Sequence, residues 1–284
     1  MLLGADDFPF ADSETVTVRH AGTRQRVTEF LELLDASARA SACLVRVPGL
    51  SLRVEEGIVE LPQYRFTAPG AGDDAIRIGI FATIHGDEPE SALGLVHFLQ
   101  SLAEEPEAAS GFAMEAYPLC NPTGFIAGTR HSRAGKDLNR EFWRNSPEPE
   151  VRFLEAELLR RHFHGIVCLH CDDTSHGLYG FLSGRQTGDV LSSNLLEPAL
   201  RAAEAFLPRN LDVEIDGFLA QSGVLSSCYD GVLRAPEGVP QTPFEITFET
   251  PQRAPVERQV QAFNAALHAI LKEYRLLLAH APNL

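Results

Sequence analysis

From Ile76 onward, apolar runs of strand length alternate with segments of helical spacing, and few architectures accept that rhythm. Strands are read over Ile76–Ile84, Phe112–Leu119, Gly165–Leu169, Leu178–Leu182 and Thr242–Phe248. Helices are read over Glu88–Leu102, Pro149–Phe163, Val190–Phe206 and Pro255–His280. The alternation predicts an α/β fold with one mixed sheet flanked by helices, where ligands collect at the carboxyl ends of strands. Ahead of it, Val27–Ala40 has helical spacing and Cys43–Val47 reads as a strand before a turn at Pro48–Leu50. A hairpin-like pair over Ile58–Leu61 and Tyr64–Thr67 follows, and Pro69–Asp74 is a loop. Residues 1–75 are therefore expected to pack on the core formed by residues 76–284, within a single domain.

Charge narrows the function. The 284 residues carry 24 Lys plus Arg against 39 Asp plus Glu, a formal net charge of -15 that repels phosphate backbones and anionic membranes. Nucleic acid and membrane are therefore not expected as partners. No apolar run reaches the roughly 18 residues of a membrane span, and acids interrupt the first residues, unlike a secretory leader. Five scattered cysteines do not form a disulfide framework, which makes a reducing cytoplasm the expected location.

The strand ends carry the chemistry. Ile76–Ile84 stops at His85, and Gly86, Asp87 and Glu88 follow before a helix begins. Imidazole and carboxylate three residues apart can reach one divalent ion across a tight turn, although Asp87 and Glu88 also suit a helix N-terminus for its dipole alone. A third donor is available at His170, the first polar side chain after another buried run. Two nearby ligands and a distant third, with a position left for water, fit a catalytic zinc site. Between them, Cys120–Trp143 gathers Arg130, Arg133, Lys136 and Arg140 in a chain otherwise poor in cations, as an anion-holding loop would. Glu249, at the end of the strand "PFEITFETP", could act as a general base, with Glu245 competing.

Taken in order, "HGDE", "NPTGF", "TR", "DLNREF", the strand-end His170 and "TFETP" resemble the zinc carboxypeptidases of the carboxypeptidase A clan. "HGDE" with "DLNR" also resembles their succinylglutamate desuccinylase, aspartoacylase and murein peptide amidase relatives. The resemblance implies a zinc-carboxypeptidase-like fold and one zinc per chain held by His85, Glu88 and His170, with Asp137 orienting His85. It implies Glu249 as the catalytic glutamate and Arg130, or alternatively Arg133, as the oxyanion-stabilising arginine. It also implies Asn139 and Arg140 as carboxylate binders, and Tyr229, in the Gly- and Ser-containing segment Gln221–Leu233, as a substrate-covering tyrosine. The activity implied is hydrolysis of an amide bond next to a free carboxylate in a small peptide, or else deacylation of an N-acyl amino acid. Asp172 and Asp173 could hold a cationic group or a second metal, or could simply cap turns. Oligomeric state is not readable from the sequence.

Overall fold

The computed structural model describes residues 13–55, 57–72, 74–182, 186–238 and 242–280. Helix α1 (Ser13–Ala40) leads into strands β1 (Leu44–Val54) and β2 (Gly57–Thr67). Then come β3 (Ile76–Ala82), α2 (Pro89–Glu104), β4 (Phe112–Tyr117), α3 (Pro122–Ala127) and α4 (Pro149–Arg161). Strands β5 (Gly165–Asp172) and β6 (Tyr179–Leu182) precede α5 (Gln186–Ala203) and the short strands β7 (Glu214–Ile215), β8 (Phe218–Gln221) and β9 (Val224–Leu225). Strand β10 (Phe244–Pro251) and helix α6 (Val256–His280) complete the order. Among the described residues, no helix is long and apolar enough to cross a membrane.

One ten-stranded mixed sheet runs β1-β2-β4-β3-β5-β10-β6-β9-β8-β7. Its centre, β4-β3-β5-β10, is parallel, and antiparallel pairs flank it on both sides. Side chains of a strand alternate between faces, so the parity of each residue fixes its layer. Ile78, Ile80 and Ala82 of β3 and Val167 and Leu169 of β5 join Leu95, Phe98, Phe263 and Ile270 in the larger core, under α2, α5 and α6. Phe81, Ile166 and Cys168 turn to the other face and meet Val151, Leu154 and Leu158 of α4. Phe81 stacks on Tyr117 at 4.7 Å, and truncating so buried a ring to alanine typically costs about 3–5 kcal/mol.

The structure corrects the reading of the first 75 residues. Pro48–Leu50 is not a turn: β1 runs through it, and the register shifts there between Val47 and Leu50, a bulge that sets Pro48 and Gly49 against Pro62. A proline is tolerated because β1 is the sheet edge, and a Cβ at Gly49 would stand 2.0 Å from the Leu61 carbonyl oxygen. Ile58–Leu61 and Tyr64–Thr67 are likewise not two strands but one, β2, whose hairpin partner is β1 and whose far side pairs with β4. Helix α1 packs on α2 and β1, so this part of the chain extends the sheet and one of its helical layers.

Candidate active site

The site lies where the parallel strands end. Strand β3 stops at Ala82, and buried Thr83 takes a left-handed φ of 53°, a strained value for a β-branched residue, held by a bond from its amide to Ser91 Oγ at 3.0 Å. The turn that follows carries His85 and delivers Glu88 to the N-cap of α2. It is stitched to a neighbouring loop by Asn121, whose amide nitrogen reaches the Ile84 and Arg130 carbonyls at 3.3 and 3.2 Å while its Oδ1 accepts from Gly124 N at 2.8 Å. Gly86 permits this apposition, since a Cβ there would stand 2.0 Å from the Gly124 carbonyl carbon. The conformational role of "NPTG" is thus to hold the His85 loop against the Arg130 loop.

His85, Glu88 and His170 meet at this point and all three are buried, with ligand atoms within 4.8 Å of one another. Glu88 Oε1 is 2.5 Å from His85 Nδ1, and Oε2 is 3.1 Å from His170 Nδ1 and accepts from Cys171 N at 3.0 Å. Neighbouring ligands of a tetrahedral zinc stand about 3.4 Å apart at bond lengths near 2.1 Å, so the two imidazoles and the carboxylate fit that ion. Three protein donors leave a position open for water, as catalytic rather than structural zinc sites do. The far nitrogen of His85, Nε2, stands 3.3 Å from Asp137 Oδ1, off the line of a hydrogen bond. A carboxylate at that nitrogen favours the tautomer that frees Nδ1 for a metal.

Electrostatics follow burial. Burial opposes charge on His85, but the Glu88 carboxylate overrides it and raises the imidazole above its ordinary value. In His170 burial prevails and the group is lowered. Burial likewise works against ionised Glu88, yet the two histidines hold it far below the ordinary carboxylate range. Glu249 goes the other way: burial, followed by the charges of Glu88, Asp172 and Asp216, pushes its carboxyl well up, with Arg130 opposing.

Glu249 is the register partner of His170 on the adjacent parallel strand, so both side chains leave the same face about 5 Å apart. Glu245 shares that face but sits about 13 Å back along the strand, where its carboxylate accepts from Ala235 N. Arg130 spends Nε and Nη2 on Asp137 Oδ2 at 3.0 and 2.9 Å and holds Nη1 3.9 Å from Glu88 Oε1. Arg133 lies outside the cleft, paired with Glu55. Asp137 caps the 3-10 turn Leu138–Arg140, accepting from Asn139 N at 3.0 Å, and Asn139 Oδ1 accepts from Leu233 N at 2.9 Å.

A cleft of about 350 Å³ gathers His85, Glu88, His170, Glu249, Arg130, Asn139, Arg140 and Tyr229, with Asp87, Asp172, Asp173, Asp216 and Gln252 on its walls. Asp172 is committed to structure: Oδ2 accepts from the Tyr179 hydroxyl and Oδ1 from Thr174, which is the turn-capping alternative. Asp173 is exposed, and His176 lies apart, 3.9 Å from Asp212. Sequence reasoning passed over Asn121, Asp216 and Gln252, whose Nε2 donates to the Asp87 carbonyl at 2.6 Å. Their residue types are common in turns, and only "NPTG" beside the arginines offered a signal.

A mixed α/β sheet with such a group at the ends of its parallel strands is the carboxypeptidase-like fold. The chain is similar to a Shewanella denitrificans OS217 structure assigned to the metallopeptidases, at 25% identity and TM-score 0.67, over 86% of this chain and 87% of that one. A similarly assigned Shewanella amazonensis SB2B structure matches at 24% identity and TM-score 0.71, over 87% and 92%. A metallo-carboxypeptidase from Pseudomonas aeruginosa, in complex with (2-guanidinoethylmercapto)succinic acid, shares the fold at 18% identity and TM-score 0.64, over 90% and 69%. Within that class, residues 74–212 match the model of the succinylglutamate desuccinylase/aspartoacylase catalytic domain. The chain thus resembles the zinc-carboxypeptidase superfamily, near its desuccinylase and aspartoacylase relatives. No curated protein matches it.

Proposed function

We propose that the chain is a zinc-dependent hydrolase that cleaves an amide bond next to a free carboxylate in a small peptide or peptide-like substrate. The observation that carries this is the convergence, in one cleft of about 350 Å³, of the His85–Glu88–His170 group, the carboxyl of Glu249 and two arginines. A cleft of that size suits a small ligand. Residues 76–284 would hold the machinery, with the preceding helix and hairpin bracing it.

Bound by His85, Glu88 and His170, one zinc per chain would supply Lewis-acid polarisation and make water acidic at its open position. Glu249, buried and without a hydrogen-bond partner among the described residues, takes the proton of the attacking water and returns it to the leaving amine. Arg130, fixed by Asp137 through two N–H groups, presents positive charge to the oxygen that becomes anionic. Arg140 and Asn139 set the register by binding the substrate carboxylate, for which a planar guanidinium is suited.

The match over residues 74–212 favours a second reading, an N-acyl amino acid deacylase. Both are tested by elemental analysis of the wild type beside Glu88→Ala and His170→Ala, with hydrolysis of a mixed peptide and N-acyl amino acid panel followed in the same samples. About one zinc per chain, lost in both variants together with activity, supports the site, and the cleaved compounds choose between the readings. Metal content unaffected by either substitution refutes the ligand set.

A further inference from the structure

The two arginines of the cleft are held in opposite ways. Arg130 is held by the Asp137 carboxylate, whereas among the described residues no carboxylate pairs with Arg140. Arg140 Nη1 donates to the Asn139 carbonyl at 2.9 Å, and its Cζ lies 4.0 Å from the centre of the Tyr229 ring. Tyr229 is in turn fixed by its surroundings. Its hydroxyl donates to the backbone carbonyl of Asp216 at 2.9 Å, and the Phe218 ring meets it nearly edge-on at 4.7 Å.

Asp216 and Gly217 are the two-residue turn of the β7–β8 hairpin, with φ of 52° and 79° between the paired Ile215 and Phe218. Two successive left-handed residues at such a turn match the right-handed strand twist and make a well-defined corner. On the other side of Tyr229, Gly231 packs so closely on Arg140 that a Cβ would stand 2.3 Å from the Arg140 carbonyl oxygen, and its own carbonyl accepts from Phe142 N at 3.0 Å. The Gly and Ser content of Gln221–Leu233 would suit a flexible flap, yet the segment is tied to β8, β9 and Asn139–Phe142 on either side of the tyrosine.

We propose that Tyr229 is a positioning residue: latched by the Asp216 carbonyl, its ring holds the Arg140 guanidinium flat so that the free N–H edge meets a substrate carboxylate. This rests on the reading of Arg140 as the carboxylate grip. The physical reason is one of donor economy. Guanidinium donors all lie in the plane of the group, so a partner stacked on its face orients it without consuming any of them. An Asp or Glu in that role would occupy the same edge and compete with the substrate. The stack therefore fixes a cation and leaves it available, in a cleft whose walls also carry Asp172, Asp173 and Asp216.

The test is calorimetric titration of wild type, Tyr229→Phe, Tyr229→Ala and Arg140→Ala with 3-phenylpropanoate and, as control, its neutral amide, each variant checked for an unchanged melting temperature. Wild type should bind the carboxylate better than the amide, and Arg140→Ala should abolish the difference. Tyr229→Ala should weaken carboxylate binding about fivefold to tenfold, about 1–1.4 kcal/mol, with amide binding unchanged. Tyr229→Phe keeps the ring and loses the latch, and should fall by about twofold to threefold. Tyr229→Ala equal to wild type, with Arg140→Ala defective, would overturn the positioning role alone. Loss in Tyr229→Phe as large as in Tyr229→Ala would overturn it in favour of a hydroxyl that touches the ligand. No preference for the carboxylate in the wild type would remove the grip itself, and the proposal with it.

Discussion

At the scale of single residues, neighbouring carboxyl groups are driven apart by what surrounds them. Glu88 is held ionised by two imidazoles, while Glu249, on the strand beside that of His170, is pushed towards its protonated form by burial and by the acids around it. A ligand must stay charged and a proton carrier must be able to hold a proton, so the two glutamates are suited to different work. Glu249→Gln, nearly isosteric, should retain zinc on elemental analysis while kcat falls about 10²–10⁴-fold. Retained turnover would assign proton transfer to another group. Much of this set was legible in the sequence, because His85, His170 and Glu249 are each a polar residue at or near the end of an apolar run. Asp216 was not: Asp-Gly reads as any turn, and only the fold brings its carbonyl to Tyr229 across 13 residues.

At the scale of elements, the strands buried on both faces announced themselves and the irregular ones did not. Strands β3 and β5 are mainly apolar and β10 alternates Phe244, Ile246 and Phe248 with Glu and Thr, whereas β7 and β9 have two residues each and no period to detect. Strand β1 was cut short because Pro48–Gly49 carries turn chemistry, yet on an edge strand the same residues make a bulge. Gly49→Ala should therefore destabilise by about 1–3 kcal/mol, seen as a lower melting temperature, because the clash is with backbone. An unchanged melting temperature would mean that the bulge can relax. A second device joins β2 and β4 to α4: Gln63 Nε2 donates to Glu115 and Glu157 at 2.8 and 3.0 Å, and the Tyr117 hydroxyl donates to Glu157 at 2.8 Å. Burial opposes charge on Glu157, but hydrogen bonds from Arg160, Tyr117 and Arg161 win and lower its carboxyl from 4.5. A carboxyl depressed in the folded state stabilises above its unfolded value and loses that contribution as pH falls through the folded one. Melting temperatures of Glu157→Gln should accordingly depend less on pH below about 4.5 than those of the wild type; equal slopes would show that the network is not linked to folding.

At the scale of the molecule, the metal group draws on separate parts of the sheet: His85 follows β3, Glu88 precedes α2 and His170 lies in β5. An ion bound there binds the folded chain and stabilises it by mass action, about 2.7 kcal/mol at a hundredfold excess over Kd. Chelation should lower the melting temperature by several degrees and zinc should restore it, while Glu88→Ala should respond to neither; a wild type indifferent to chelator would argue that no ion is held. The ends of the sheet carry a different consequence. Unpaired strand edges invite a second chain to add on, yet one border here is the two-residue β7, and the other is β1, whose ladder is broken by the proline-containing bulge. A ten-stranded sheet could otherwise zip to a copy of itself, and the kink that misleads a reader of the sequence also spoils the template for aggregation.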